Sequence, residues 1–170
     1  MSTNSSAVLA DFIWKNADNL RDYFSHTDFG KVILPFTMLR RLECVLEPTK
    51  DDVLSFYKKH KSDYMAVDSL LKTKTGTEFY NTSRYSLATL GATQTRENMD
   101  EYIASFSSNA RQIFEQFEFS NTLSKMDNAG ILYYICQNFA NIDLHPETVS
   151  DRVMSNVYEH LIRRFGAAVN

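Results

Sequence analysis

Lys58, Lys59, Lys61, Lys72, Lys74 and Arg84 alternate with Tyr57, Tyr64, Tyr80 and Tyr85 along the middle of the chain. Ammonium and guanidinium groups bind phosphate oxygens while aromatic rings pack or stack, so this run has the make-up of a phosphate-tracking surface. A solvated helix face with core tyrosines has the same make-up. Arg40 and Arg41 lie between Leu39 and Leu42. With the leucines on the core side, both arginines point outward or along an edge, within reach of phosphates or a partner carboxylate. The ordinary alternative is an ion pair from Arg40 to Glu43, three residues on. Arg163 and Arg164, with Glu159 four residues before Arg163, read as stabilisation of a helix C-terminus.

Other chemistry has little support. Gly30, Gly76, Gly91, Gly130 and Gly166 form no phosphate-cradling pattern, and His26, His60, His145 and His160 have no spacing that places two imidazoles on one helical face. They read as surface or hydrogen-bonded histidines. No nucleophile elbow is present. Cys44 and Cys136 stand far apart and read as buried, reduced thiols. The sequons at Asn4 and Asn81 mean nothing without a secretory route.

The chain that must position these groups has 170 residues, of which 44% are hydrophobic and 13% aromatic, enough for a packed core. Its net charge of -3 excludes the strongly basic balance of a self-sufficient nucleic-acid binder, so any such contact is local. Charge is uneven: residues 1–30 sum to -2, residues 31–96 to +4 and residues 97–170 to -5. A basic middle faces phosphate while acidic ends face solvent or a basic partner, or the pattern is ordinary surface charge. The apolar runs are too short for a membrane span and Met1–Ala10 lacks the basic start of a signal peptide, which reads as a cytoplasmic protein with no membrane partner.

Apolar residues recur at three and four positions, which predicts a mainly α, bundle-like domain. A first helix after Ser5 or Ser6 places Leu9, Phe12, Ile13, Ala17, Leu20 and Phe24 on one face, with Trp14 at its flank, until Asp28-Phe29-Gly30 interrupts it. The next carries Leu34, Met38, Leu42 and Val45 and closes at Pro48, with Pro35 in its first turn or at a bend. Thr49 caps a helix through Val53, Phe56 and Tyr57, and another carries Met65, Val67, Leu70 and Leu71. Residues 78–86 read as a short extended or irregular segment. Three helices follow, opened by Thr95, by Ser108 and by Asp127 or Asn128, and a last one runs from about Ser150 to Phe165, stopped by Gly166.

Several strings together carry a resemblance: Phe12-Ile13-Trp14 then Ala17-Asp18-Asn19-Leu20-Arg21, Ile33-Leu34-Pro35 with Leu39-Arg40-Arg41-Leu42, Phe79-Tyr80-Asn81, Asn141-Ile142-Asp143-Leu144, and Tyr158 through Phe165. In content and order they resemble the N-terminal helical domain of the modification (M) subunit of type I restriction-modification DNA methyltransferases. The resemblance spans nearly the whole chain. It implies a complex of two M subunits and one specificity subunit, joined by a restriction subunit in the full system. That complex transfers a methyl group from S-adenosylmethionine to the exocyclic amino group of adenine in double-stranded DNA.

Members of that family continue into a catalytic domain with a Gly-rich cofactor loop and an Asn-Pro-Pro-Phe/Tyr motif for the flipped base. Here the three prolines follow Leu34, Glu47 and His145. Residues 1–170 are thus expected to be one helical N-terminal domain, excised or truncated, with no active site and no cofactor of its own. By resemblance it helps close the complex on DNA. Arg40, Arg41, Lys58, Lys59, Lys72, Lys74 and Arg84 are its candidate DNA or partner contacts. The alternative is a helical protein-interaction module unrelated to methylation.

Overall fold

The computed structural model describes residues 3–60, 62 and 64–169. Lys61 lies outside them, as do the side chains of His26, Tyr64 and Met65. The chain folds as the mainly α bundle expected, with no strand among the described residues. The order is α1 (Thr3–Asn16), a 3-10 turn (Asp18–Asp22), α2 (His26–Leu46), a second 3-10 turn (Glu47–Thr49), α3 (Lys50–His60) and α4 (Tyr64–Thr75). A third 3-10 turn (Leu87–Thr89) precedes α5 (Thr95–Ala104), α6 (Ser108–Gln116), α7 (Phe119–Asn128), α8 (Leu132–Ala140) and α9 (Asp151–Val169).

The central element is α2, about 30 Å long at 1.5 Å per residue. It begins at a cap, where the Ser25 hydroxyl accepts from the Asp28 N–H at 3.3 Å. Val32, Ile33, Phe36, Thr37, Leu39, Arg40, Arg41, Glu43 and Cys44 are all buried, whereas the expected stripe of Leu34, Met38, Leu42 and Val45 is only half-buried, so most of the helix is enclosed and that stripe is its partly open side. Phe36 packs edge-on against Phe119 at 5.0 Å and lies 5.1 Å from Phe139, joining α2 to α7 and α8. Such aromatic pairs add about 0.5–1.5 kcal/mol beyond the area they bury.

Asp28-Phe29-Gly30 does not interrupt a helix. It lies inside α2, because Ser25 has already capped the new helix. Gly30 is required by packing, since a Cβ there would come within 2.2 Å of the Phe165 ring. α9 therefore crosses close to the start of α2 and runs antiparallel to it, with Asp151 near Arg41 at the other end. α1 lies alongside α9, where Arg164 reaches Asp11 at 3.0 Å and sits 5.1 Å over the Trp14 ring.

Several expected boundaries move. α1 starts at Thr3, so Ser5 and Ser6 are inside it, and Phe12 is 52% exposed rather than on the buried stripe. Leu20 and Phe24 are buried, but from the 3-10 turn and the residues after it. Pro35 sits well inside α2. Thr95 and Ser108 are first helical residues, preceded by Gln94 and Ser107. α7 was not expected, although Phe119, Thr122, Leu123 and Met126 have helical spacing and are buried. Left-handed Glu118 (φ 53°) separates it from α6, and α8 starts only at Leu132, after Gly130 (φ 74°). Gly166 does not stop α9, because its backbone keeps an ordinary helical φ and the helix continues to Val169.

α3 and α4 form a hairpin with a small core of its own, Val53, Val67 and Leu71. The segment from Glu78 to Ser86 is irregular, as expected, and Asn81 makes an isolated antiparallel bridge with Phe106. The Asn81 amide donates to the Tyr102 carbonyl (2.9 Å) and its oxygen accepts from the Ser83 N–H (2.7 Å), which ties this segment to α5.

Candidate functional site

The charged residues of α2 are turned inward. Arg40 Nε donates to the Ile142 carbonyl at 2.8 Å and its Nη1 to Glu43 Oε1 at 2.7 Å. Arg41 Nη1 donates to the carbonyls of Leu144 (2.8 Å) and Val149 (2.7 Å), and its Nη2 to Asp151 Oδ1 (2.8 Å). The expected outward orientation of these arginines is therefore not found, whereas the Arg40–Glu43 pair is. The physical reason is that this side of α2 is covered by the connection from α8 to α9, which presents carbonyls without helical partners. A guanidinium with five donors in a fixed fork meets several of them at once.

Glu43 is the hub of this network, a role its place in the sequence did not reveal. Its Oε2 accepts from the Leu87 N–H at 2.8 Å and from the Tyr102 hydroxyl at 2.7 Å. Burial and the adjacent Glu43 charge hold the Tyr102 phenol well above its ordinary pKa, so it stays a donor. One carboxylate thus fastens α5 and the Leu87–Thr89 turn to α2.

Beside this hub opens a cleft of about 400 Å³, lined by Arg40, Glu43, Glu47, Lys50, Asn81 and Arg84 among others. Lys50 was missed in the sequence because it stands among acids, next to Asp51 and Asp52. Its Nζ donates to the Tyr85 carbonyl at 2.6 Å and lies 5.6 Å over the Tyr102 ring. Burial lowers its pKa, against the opposing pull of Glu43 and Asp51. Arg84 is exposed, stacked 5.1 Å over the Tyr85 ring, with Nη2 donating to the Tyr85 hydroxyl at 3.3 Å. At the rim, His145 is held between Glu47 and Asp143 at 2.7 Å on each side. The Glu47 hydrogen bond, and then that of Asp143, raise its pKa.

The other cations lie on the α3–α4 hairpin. Lys58 and Lys59 are exposed near the end of α3. Lys72 pairs with Asp68 at 3.1 Å, and Lys74 sits 5.0 Å over the Phe56 ring. Asp68 also accepts from the Tyr80 hydroxyl at 2.9 Å, and burial, then this bond, push the Tyr80 phenol up to about 12. The fold thus brings Arg40 and Arg84 to one cleft, places four lysines on a separate hairpin, and buries Arg41 elsewhere. Arg41 lines a second, apolar groove of about 300 Å³ with Leu34, Met38, Phe117, Tyr158 and Ile162.

Among the described residues no group of three or more His, Cys, Asp or Glu is placed to hold a metal ion, and no helix is long and apolar enough to cross a membrane. Cys44 and Cys136 are buried free thiols.

No curated protein and no solved structure matches the chain. A family model described as the HsdM N-terminal domain matches residues 9–139, from within α1 to the last turn of α8, and so takes in the Arg40–Glu43 pair, Lys50 and the segment around Arg84. With most of its length inside that match, the chain belongs to the HsdM N-terminal domain family, the N-terminal domain of the modification subunits of type I restriction-modification systems.

Proposed function

We propose that residues 1–170 act as one helical domain that helps assemble or clamp a type I methylating complex on double-stranded DNA. The observation that carries this reading is the family match over residues 9–139. The partners are the specificity subunit and a second M subunit, with the restriction subunit in the full system, in the cytoplasm. The full-length subunit would transfer a methyl group from S-adenosylmethionine to the exocyclic amino group of adenine.

The residues of this chain do not fit that cofactor. Gly76, Gly91 and Gly130 sit in separate turns, Gly30 lies against Phe165 inside α2, and Gly166 is in α9, so no turn gathers them into a phosphate or nucleotide cradle. Methyl transfer is accordingly assigned to the rest of the subunit. The family match disfavours an interaction module unrelated to methylation.

Lys58, Lys59, Lys72, Lys74 and Arg84 are the proposed DNA or partner contacts. Arg40 and Arg41 serve from inside, holding the α8–α9 connection and one wall of the cleft. The apolar groove beside α9 supports an assembly role, since Leu34, Met38 and Phe117 are only half-buried there and Ile162 is exposed. Methyl transfer to a duplex bearing the target site tests the reading, using the catalytic remainder plus specificity subunit with and without this domain. Restored activity is expected. With the K58Q, K59Q, K74Q and R84Q variants in the assembled enzyme, the salt slope of DNA affinity should fall by about 0.9 per lost phosphate contact. An unchanged affinity and slope would remove these residues from the DNA interface.

A further inference from the structure

We propose that the cleft between α2, the start of α3 and the Asn81–Thr89 segment is a phosphate-group subsite, with Lys50 and Arg84 as its two cationic arms. The inference rests on the DNA-facing reading above only for the molecule that carries the phosphate.

Lys50 is partly buried and has no carboxylate within ion-pair distance among the described residues. Its one hydrogen bond among those residues goes to the Tyr85 carbonyl, which leaves two ammonium protons for a ligand. The carboxylates of the cleft do not compete for them. Both oxygens of Glu43 are taken by Arg40, the Leu87 N–H and the Tyr102 hydroxyl, and Glu47, held by His145 through Oε2, makes no ion pair with Lys50 among the described residues. Asp51 is exposed and acts on Lys50 through space alone.

Tyr85 couples the two arms. Its carbonyl fixes Lys50, while its ring and hydroxyl fix Arg84, so both cations are oriented before any ligand arrives. A partly buried ammonium with no ion-pair partner is costly, and an oxyanion that replaces its lost hydration makes charge-assisted bonds to it and to the exposed Arg84 guanidinium. The cleft, at about 400 Å³, admits a phosphate with part of the group that carries it. Burial already lowers the Lys50 pKa, so a bound anion must raise it, which provides a local readout.

The test titrates the full chain, labelled at the lysine ε-carbons, first with inorganic phosphate and then with a short DNA duplex. Phosphate is expected to shift the Lys50 resonance and raise its pKa. K50M, which keeps the apolar stem, and R84Q, at an exposed position, should each weaken phosphate binding about tenfold, and K15Q, at an exposed position on α1, should not. Duplex that displaces phosphate and weakens in the same two variants identifies a backbone phosphodiester as the ligand. Phosphate binding in the cleft without any duplex binding supports the subsite with a free phosphate ester as its ligand and counts against the DNA-facing reading instead. Uniform, weak shifts across all lysines, or duplex binding indifferent to K50M and R84Q with no phosphate effect at Lys50, would overturn the proposal.

Discussion

Replacing Glu43 with glutamine tests whether one buried carboxylate organises the interior around α2. The Glu43 side chain is 8% exposed and that of Arg40 is 11% exposed, so the pair is shielded from solvent. Glutamine keeps one acceptor oxygen for three donors, namely Arg40 Nη1, the Leu87 N–H and the Tyr102 hydroxyl. It also leaves the Arg40 guanidinium without its counter-charge. Breaking a buried pair from one side costs about 3–5 kcal/mol, a large part of the roughly 5–15 kcal/mol by which domains are stable. With a urea m-value of about 2–3 kcal/mol/M, the midpoint of unfolding should fall by about 1–2.5 M. The R40M/E43Q double variant removes the stranded charge, so it should be less destabilised than the two single variants added together, by about 1–3 kcal/mol. Urea unfolding followed by far-UV circular dichroism reads all four proteins. A Glu43→Gln midpoint within about 0.3 M of the parent, or strict additivity in the double variant, would refute the hub.

Gly30→Ala should lower stability by about 1–3 kcal/mol despite alanine's better helix propensity, because the added methyl meets the Phe165 ring; F165A should relieve the cost, and thermal melts of both variants check it. His145 has a raised pKa in the folded state, so its contribution is fully present below the unfolded value of about 6.5 and is lost as pH rises through the folded value. Asp143, whose pKa is lowered first by the His145 N–H and then by its ring, contributes in the opposite sense, above its unfolded value and lost as acid titrates it. H145Q should therefore flatten the fall in stability across about pH 6 to 8 in urea titrations; an unchanged slope would mean that the His145 contacts with Glu47 and Asp143 add no stability. Burial raises both thiol pKa values, that of Cys136 to about 12, so a thiol reagent should label the native chain no faster than it opens, and a burst of labelling would contradict the packing.

Helical class was legible because apolar spacing is local: Val153, Val157 and Leu161 recur every fourth residue, and all three are buried in α9. The irregular segment near Asn81 was legible for the same reason, since its aromatic and turn-forming residues lack that period. α7 could have been found from Phe119, Thr122, Leu123 and Met126, but nothing local marks Glu118 as a left-handed hinge rather than a helical residue. Of the candidate site, the exposed lysines and Arg84 followed from composition, whereas Lys50 was obscured by its acidic neighbours in sequence.

By itself the sequence determined the helical periodicity, the basic middle and the ordered set of strings shared with the family. Only the tertiary structure decided which cations face solvent. Arg40 and Arg41 looked like surface groups because two leucines flanked them, yet the connection from α8 to α9 covers their side of α2, and carbonyls about a hundred residues away required donors. Gly30 likewise looked like a helix breaker until α9 placed a ring against it. Both outcomes depend on contacts distant along the chain, and local residue types carry no information about which distant group will arrive.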